Sequence, residues 1–217
     1  HAKSIAISPE MKAAFAIKVD SLTPNELIQA LLRAPVDLLW NGGIGTYVKA
    51  RSESHEEVGD RANNAVRVNG EELRAKTVGE GGNLGFTQLG RMEFARRGGR
   101  INTDALDNSA GVSCSDHEVN IKIALAAAME KGDLTLKARN KFLESMTEEV
   151  AELVLRDNEL QNQALSNAEA QGHHILESRA RLIRDMERKG LLNREIEFLP
   201  SEEELAERRA KKQGFTR

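Results

Sequence analysis

Two patterns of apolar and polar residues divide the chain. In the second part, apolar residues recur at helical spacing with Glu, Arg and Lys between them, over residues 142–154 and again over 160–186. Gly190 follows the second stripe and is typical of a helix end. Ser201, followed by three glutamates, predicts a helix N-cap with acidic residues in the first turn. The pattern therefore predicts an all-helical region over residues 133–217.

The first 132 residues instead alternate short apolar runs with glycine-rich segments. Residues 36–40 and 75–79 predict two strands, and residues 100–102 predict a weaker third. Helical patterns cover residues 86–97 and 113–129. Strand, glycine loop and helix in this order are typical of a parallel α/β sheet. We therefore predict an α/β fold in which the three strands form one parallel sheet, followed by the helical region.

Charge and composition exclude several classes of function. The 31 Lys+Arg residues nearly balance the 34 Asp+Glu residues, and no basic run is longer than two residues, so we expect no nucleic-acid partner. No apolar stretch approaches the ~20 residues that a membrane span needs, so we expect no membrane association. A single cysteine, Cys114, rules out an intrachain disulfide framework and favours a reducing, cytoplasmic location.

Three loops rich in glycine and asparagine follow the predicted strands, at residues 41–45, 79–85 and 108–112. Ligands of open α/β sheets bind at the carboxyl ends of the strands, which is where these loops should lie. Glycine permits close approach of the backbone, and asparagine offers both a donor and an acceptor, as a carboxamide ligand requires. Ordinary turn chemistry explains the same residues equally well, so both interpretations stay open at this point.

Other familiar motifs are absent or incomplete. The sequence contains no P-loop and no Gly-x-Gly-x-x-Gly fingerprint. His173 and His174 have no further ligand at zinc spacing, so we predict no metal site. His117 follows Cys114 at helical spacing, but a cysteine and a histidine without a third group do not make an activated nucleophile.

Three segments together closely resemble the large bacterial NAD-specific glutamate dehydrogenases. They are residues 36–48 (VDLLWNGGIGTYV), 76–87 (KTVGEGGNLGFT) and 104–118 (DALDNSAGVSCSDHE). The resemblance covers nearly the whole chain, including the helical part. The second and third segments are also similar to the Glu-Gly-Ala-Asn and Asn-Ala-Gly-Gly-Val-x-x-Ser-x-x-Glu motifs of shorter glutamate dehydrogenases, with alanine and glycine exchanged at single positions.

The resemblance implies a cofactor-binding set. Asn83 and Asn108 would lie around the nicotinamide ribose and carboxamide of NAD. Asn41, Gly42 and Gly43 would line the cofactor from the preceding loop, where the two glycines replace alanines of the shorter enzymes. Turn residues in the left-handed conformation are the alternative interpretation of the asparagines.

Ser115 takes the position whose hydroxyl, in glutamate enzymes, helps to hold the side-chain carboxylate of the substrate. It therefore favours glutamate over a branched-chain amino acid. The alternative is that Ser115 and Glu118 form a capping box at a helix start. For Glu80, near the same loops, we favour a carboxylate that anchors a helix or loop. If the substrate role is correct, Asn83, Asn108 and Ser115 should converge at one end of the sheet.

The fold and activity implied by the family are those of a dehydrogenase. Residues 1–132 would be the C-terminal part of a Rossmann-like NAD-binding domain, and 133–217 a helical C-terminal region. The parent enzyme would convert L-glutamate, NAD and water to 2-oxoglutarate, ammonia and NADH, and we expect it to be a homo-oligomer. The family's catalytic lysine and aspartate lie upstream of the matching segments, so we expect this chain to be an inactive piece of that enzyme. Another amino-acid dehydrogenase and a non-catalytic helical scaffold remain the alternatives.

Overall fold

The computed structural model describes residues 2–109 and 111–216. Within these ranges, short strands and helices alternate in the first part of the chain, and helices alone follow. The strands are β1 (Ile5–Ala6), β2 (Ser21–Leu22), β3 (Leu38–Asn41), β4 (Val48–Lys49), β5 (Val68–Asn69), β6 (Thr77–Glu80) and β7 (Arg100–Ile101). The α-helices are α1 (Pro9–Phe15), α2 (Pro24–Leu32), α3 (His55–Val58), α4 (Gln88–Arg96), α5 (Asp104–Asp107), α6 (Val112–Glu130), α7 (Leu136–Ser145), α8 (Thr147–Gln171), α9 (Leu176–Arg188) and α10 (Glu202–Ala210).

The three predicted strands form one parallel sheet in the order β3-β6-β7, which confirms the predicted topology. Leu39 pairs with Val78 and Val78 with Ile101, so these three side chains lie on one face. Asn41, the last residue of β3, pairs with Glu80, the last residue of β6. The loops that follow these two strands therefore leave the sheet side by side.

The two faces of this sheet differ in burial. On one face, α4 packs Phe94 into a core, and an added Cβ at Gly99 would lie only 2.3 Å from the Phe94 ring. On the other face, Leu38 is 55% exposed and Trp40 is 59% exposed. The buried residues of the core are Val48, Val68, Leu73, Val78, Phe86, Phe94 and Ile101.

The described part of residues 133–217 is helical, as predicted, but the stripe over 160–186 is divided. Gly172 has φ 51° and ψ −123°, which ends α8. A short 3-10 segment, Gly172–Ile175, then leads into α9. Gly190, with φ 68°, follows α9 and confirms the predicted helix end. Among the helices that the structure describes, none combines the length and apolar content that a membrane crossing requires.

Two predicted helices have different limits in the structure. The helix predicted over 86–97 begins at Gln88, because the Oγ1 of Thr87 caps it by accepting from the N–H of Gly90 at 3.0 Å. Phe86 is instead buried in the core. The helix predicted over 113–129 is α6, one residue longer at each end. The division of the chain at residue 132 remains a prediction.

Candidate functional site

The loops after β3 and β6 contact each other through their backbones. We call residues 41–45 the β3 loop and residues 81–85 the β6 loop. The N–H of Gly82 donates to the carbonyl of Asn41 at 3.1 Å. A Cβ added at Gly82 would lie 2.5 Å from the carbonyl oxygen of Gly43. Because that atom belongs to the backbone, the close approach of the two loops requires glycine at position 82.

Asn41 and Glu80 each present an unpaired polar atom beside the β6 loop. Among the described residues, Asn41 Nδ2 and Glu80 Oε1 are buried and have no hydrogen-bond partner. A Cβ at Gly85 would lie 1.9 Å from Asn41 Nδ2 and 3.2 Å from Glu80 Oε1, so a donor and an acceptor face the same point. The other side-chain atom of Asn41, Oδ1, accepts from the N–H of Gly43 at 3.3 Å. Unpaired buried polar groups are rare and often mark a functional site.

Asn83 and Asn108 are brought together, as the family resemblance requires. The Nδ2 of Asn108, a residue that is 8% exposed, donates to Oδ1 of Asn83. Asn108 follows α5 with φ −90° and ψ 32°, and the left-handed residue of the β6 loop is Leu84, not Asn83. The interpretation of both asparagines as left-handed turn residues is therefore wrong.

Ser115 lies near the start of α6 and is exposed. The N-cap of α6 is Gly111, so the alternative in which Ser115 caps this helix is wrong. The S-x-x-E pattern misleads because backbone carbonyls serve the helix start: Val112 donates to the carbonyl of Asn108 at 2.9 Å. No hydrogen bond among the described residues joins Ser115 to Asn83 or Asn108. Its role toward the substrate stays a prediction.

A buried ionic cluster lies beneath the β6 loop. Glu80 is fully buried, and its Oε2 lies 2.7 Å from both Nε and Nη2 of Arg91 on α4. Nη2 of Arg91 is also 3.2 Å from Oδ1 of Asp104, whose Oδ2 accepts from the N–H of Leu84 at 2.7 Å. Asp107 accepts from the N–H of Glu80 at 3.1 Å. The anchoring role predicted for Glu80 is confirmed, since it joins the end of β6 to α4.

Burial raises the pKa of the Glu80 carboxyl to about 7, because a charged carboxylate loses its hydration there. The hydrogen bond and the charge of Arg91 oppose this rise, and the nearby negative charge of Asp104 adds to it. Arg91, Asp104 and Asp107 were not predicted from the sequence as site residues. The two aspartates stand three residues apart just before Asn108, and that spacing is a signal that could have drawn attention to them.

Trp40 lies across the backbone of β6 on the exposed face of the sheet. A Cβ at Gly79 would be 2.6 Å from its ring, and a Cβ at Gly81 would be 2.3 Å away. Glycine at both positions therefore allows the indole to lie flat beside the β3 loop. As the single tryptophan of the chain, Trp40 offers a fluorescent reporter at this end of the sheet.

Arg67 binds Thr46, the residue that follows the β3 loop. Its side chain is fully buried, and its Nε donates to the carbonyl of Thr46 at 2.7 Å. The same guanidinium donates to the carbonyl of Asp60 at 2.5 Å and to Asn64 Oδ1 at 2.7 Å. The N–H of Thr46 in turn donates to Asp60 Oδ2 at 2.8 Å. Thr46 is thus held on both of its backbone polar groups.

The other titratable groups of interest lie away from the two loops or are engaged by neighbouring residues. There, no group of three or more His, Cys, Asp or Glu residues could hold a metal ion. His117 on α6 lies 3.7 Å from a carboxylate oxygen of Asp157 on α8. Lys49 is buried, but its Nζ donates to Asn69 Oδ1 at 2.7 Å and to the carbonyl of Ala50 at 3.2 Å. Lys49 is therefore engaged between β4 and β5.

The arrangement suits a neutral, planar polar group better than a bare phosphate. Carboxamides of Asn41, Asn83 and Asn108 and backbone edges of two glycine-rich loops meet at the carboxyl end of a parallel sheet. Such a surface offers paired donors and acceptors, as the carboxamide of a nicotinamide requires. The residues present thus fit the nicotinamide half of a dinucleotide.

Comparison with known proteins agrees with this chemistry. Residues 1–168 match the family model described as bacterial NAD-glutamate dehydrogenase, catalytic domain. An NAD-specific glutamate dehydrogenase of Pseudomonas aeruginosa is 60% identical over 216 residues, which are 100% of this chain and 13% of that protein. Enzymes of the same name from Halomonas elongata and Mycobacterium tuberculosis are 56% and 53% identical over 99% of this chain, covering 13% and 14% of their own lengths.

The chain thus spans only 13% to 14% of the length of these relatives. Its family model covers well over half of the chain, and the identities exceed one half. The three segments that carry the resemblance include the β3 loop, the β6 loop and the start of α6. The chain therefore belongs to the bacterial NAD-glutamate dehydrogenase family.

Proposed function

We propose that this chain supplies the nicotinamide side of the active site in a large NAD-dependent glutamate dehydrogenase. The observation that carries the proposal is the bond between Asn83 and Asn108 at the carboxyl end of the parallel sheet. The names of the related proteins, NAD-specific glutamate dehydrogenase, support the choice of cofactor and substrate. The parent reaction would convert L-glutamate, NAD and water to 2-oxoglutarate, ammonia and NADH.

Each candidate residue has a distinct task in this proposal. Asn83 and Asn108 orient the carboxamide and ribose of the cofactor, and the backbone of Gly42 and Gly43 lies against it. Asn41, whose Nδ2 has no partner within the described part of the chain, would donate to a carbonyl of the cofactor. Ser115 donates to the side-chain carboxylate of glutamate. When bound, NAD supplies a hydride acceptor, and the protein must therefore hold the substrate α-carbon about 3–3.5 Å away from it.

Residues beyond this chain complete the reaction in the proposal. The family's activating lysine and proton-transferring aspartate belong to upstream segments of the longer enzyme. We place the parent enzyme in the cytoplasm, which the single cysteine of this chain favours, and we expect a homo-oligomer from the family resemblance. A different amino-acid dehydrogenase is the second candidate, and Ser115 is the residue that favours glutamate over it.

Two substitutions in the full-length enzyme test this division of tasks. Asn108→Ala should raise the KM for NAD, because it removes the carboxamide that is bonded to Asn83. Ser115→Ala should raise the KM for glutamate about 5- to 150-fold. This range corresponds to the loss of about 1–3 kcal/mol of binding free energy when a hydroxyl that donates to a carboxylate is removed. Steady-state kinetics with each substrate varied in turn measures both effects.

The 217-residue chain alone serves as the background control and should show no glutamate-dependent reduction of NAD. An unchanged KM for glutamate in Ser115→Ala, together with reduced thermal stability, would assign Ser115 a structural role. Turnover by the isolated chain would contradict the proposed place of the catalytic lysine and aspartate.

A further inference from the structure

Helix α8 carries two asparagines, one turn apart, that contact the segment between β7 and Asn108. Asn158 Nδ2 donates to the carbonyl of Leu106 at 2.6 Å. Asn162 Oδ1 accepts from Nδ2 of Asn102 at 2.8 Å. The two asparagines also support each other, since Asn162 Nδ2 donates to the carbonyl of Asn158 at 2.9 Å. Helix α8 therefore binds this segment at two points with side chains of fixed orientation.

The contacted segment includes α5, which cannot hold its position alone. Helix α5 has four residues, and helices this short are unstable without tertiary contacts. The last carbonyls of a helix lack partners within it, and the bond from Asn158 satisfies the carbonyl of Leu106. Nδ2 of Asn102 donates to Oδ1 of Asp107 at 3.0 Å as well as to Asn162. Helix α5 is thus tied to α8 directly at Leu106 and, through Asn102, at Asp107.

The same segment ends at Asp107 and Asn108, which contact the end of β6 and the β6 loop. Asp107 accepts from the N–H of Glu80 at the end of β6, and Asn108 donates to Asn83 in the β6 loop. A shift of α5 would move both of these bonds together. Two hydrogen bonds, joined by the backbone of residues 106–108, therefore connect Asn158 on α8 with Asn83 in the β6 loop.

We propose that Asn158 and Asn162 are positioning residues for the cofactor end of the active site, acting by holding α5 so that Asn108 stays bonded to Asn83. This inference rests on the proposed function. It makes α8 part of the catalytic unit, and the match to the catalytic-domain family model, which extends to residue 168, includes both asparagines.

Alanine substitutions in the full-length enzyme test the inference. Asn158→Ala removes the contact to Leu106 in α5, and Asn162→Ala removes the contact to Asn102 just before α5. Alanine itself favours a helix, so α8 is not weakened by propensity. Gln161→Ala and Gln163→Ala are the matched controls, because these residues are exposed on the same helix. The measurements are the Kd for NAD by calorimetric titration and the hydrogen exchange of peptides covering residues 100–109.

We expect each asparagine variant to weaken NAD binding about 3- to 10-fold, the effect of one hydrogen bond, with kcat at saturating NAD retained. Exchange over residues 100–109 should become faster in the same variants, and both glutamine controls should behave as the unsubstituted enzyme. Asn162→Ala leaves the bond from Asn158 in place, so it keeps the test available if Asn158→Ala does not fold.

Asn108→Ala, measured in parallel, separates the two hypotheses. If it weakens NAD binding while both α8 variants leave the Kd unchanged, the asparagines of α8 have a structural role and the inference is wrong. If Asn108→Ala itself leaves the Kd unchanged, the proposed function fails and the inference fails with it.

Discussion

Arg91→Leu should lower the free energy of unfolding by about 3–5 kcal/mol at pH 8, the usual cost of leaving a buried charge without its partner. Arg91 approaches Glu80 Oε2 with two nitrogen atoms, and neither side chain is more than 8% exposed. Leucine fills part of the space but leaves the carboxylate of Glu80 without a cation. Urea denaturation of the 217-residue chain, followed by Trp40 fluorescence, measures the loss at the sheet itself.

The loss of stability caused by Arg91→Leu should increase as the pH rises. Burial raises the pKa of Glu80 from its ordinary 4.5 to about 7, so the folded protein binds this proton more tightly than the unfolded chain does. The stability that this proton contributes is complete below pH 4.5 and is lost as the pH rises through 7. Without Arg91 the charged form is still less favourable, so the cost of Arg91→Leu should be greater at pH 8 than at pH 5.5.

Two further variants control this experiment. Arg96→Leu removes an exposed arginine from the same helix and should change stability by less than about 0.5 kcal/mol. Glu80→Gln combined with Arg91→Leu removes the buried charge and should abolish the pH dependence of the loss. Equal losses for Arg91→Leu at the two pH values would contradict the assignment to Glu80.

Gly82→Ala should raise the KM for NAD in the full-length enzyme roughly 10- to 100-fold, or about 1.4–2.7 kcal/mol, which lies within the usual cost of overpacking. The added Cβ would lie 2.5 Å from the carbonyl oxygen and 3.2 Å from the carbonyl carbon of Gly43. Since both atoms are backbone, the β3 and β6 loops must move apart. Steady-state kinetics at varied NAD measures the effect.

Gly43→Ala provides the matched comparison on the facing loop. Both substitutions introduce an alanine found in the motifs of shorter glutamate dehydrogenases, but a Cβ at Gly43 meets no atom within 4 Å. The increase in KM should therefore be at least about tenfold greater for Gly82→Ala than for Gly43→Ala. Equal effects of the two substitutions would mean that the contact between the loops does not shape the cofactor site.

The sequence predicts the architecture well where local patterns decide it. The runs before Asn41 and Glu80 predict strands, and their shared direction follows from the helices and loops between them. The family resemblance alone predicts that Asn83 and Asn108 converge, since Asn83 lies in the β6 loop and Asn108 follows α5. The strand patterns are local, whereas the contact between Asn83 and Asn108 joins residues that are 25 positions apart.

The features that the sequence did not predict depend on distant contacts. Ser115 and Glu118 match a capping box, yet α6 starts earlier because the carbonyl of Asn108 already serves its first turn. Arg91 is one of many arginines in the sequence, and its burial against Glu80 follows from the packing of α4 beneath the β6 loop. The reason for glycine at position 82, a carbonyl of another loop, is likewise absent from the local sequence.

A structure of the full-length enzyme bound to NAD and glutamate would show where the nicotinamide binds. We expect the nicotinamide carboxamide to lie within about 2.7–3.2 Å of a side-chain atom of Asn83 or Asn108, at hydrogen-bond distance. The Ser115 hydroxyl should then donate to the side-chain carboxylate of glutamate. A nicotinamide bound away from the carboxyl ends of β3 and β6 would contradict the account.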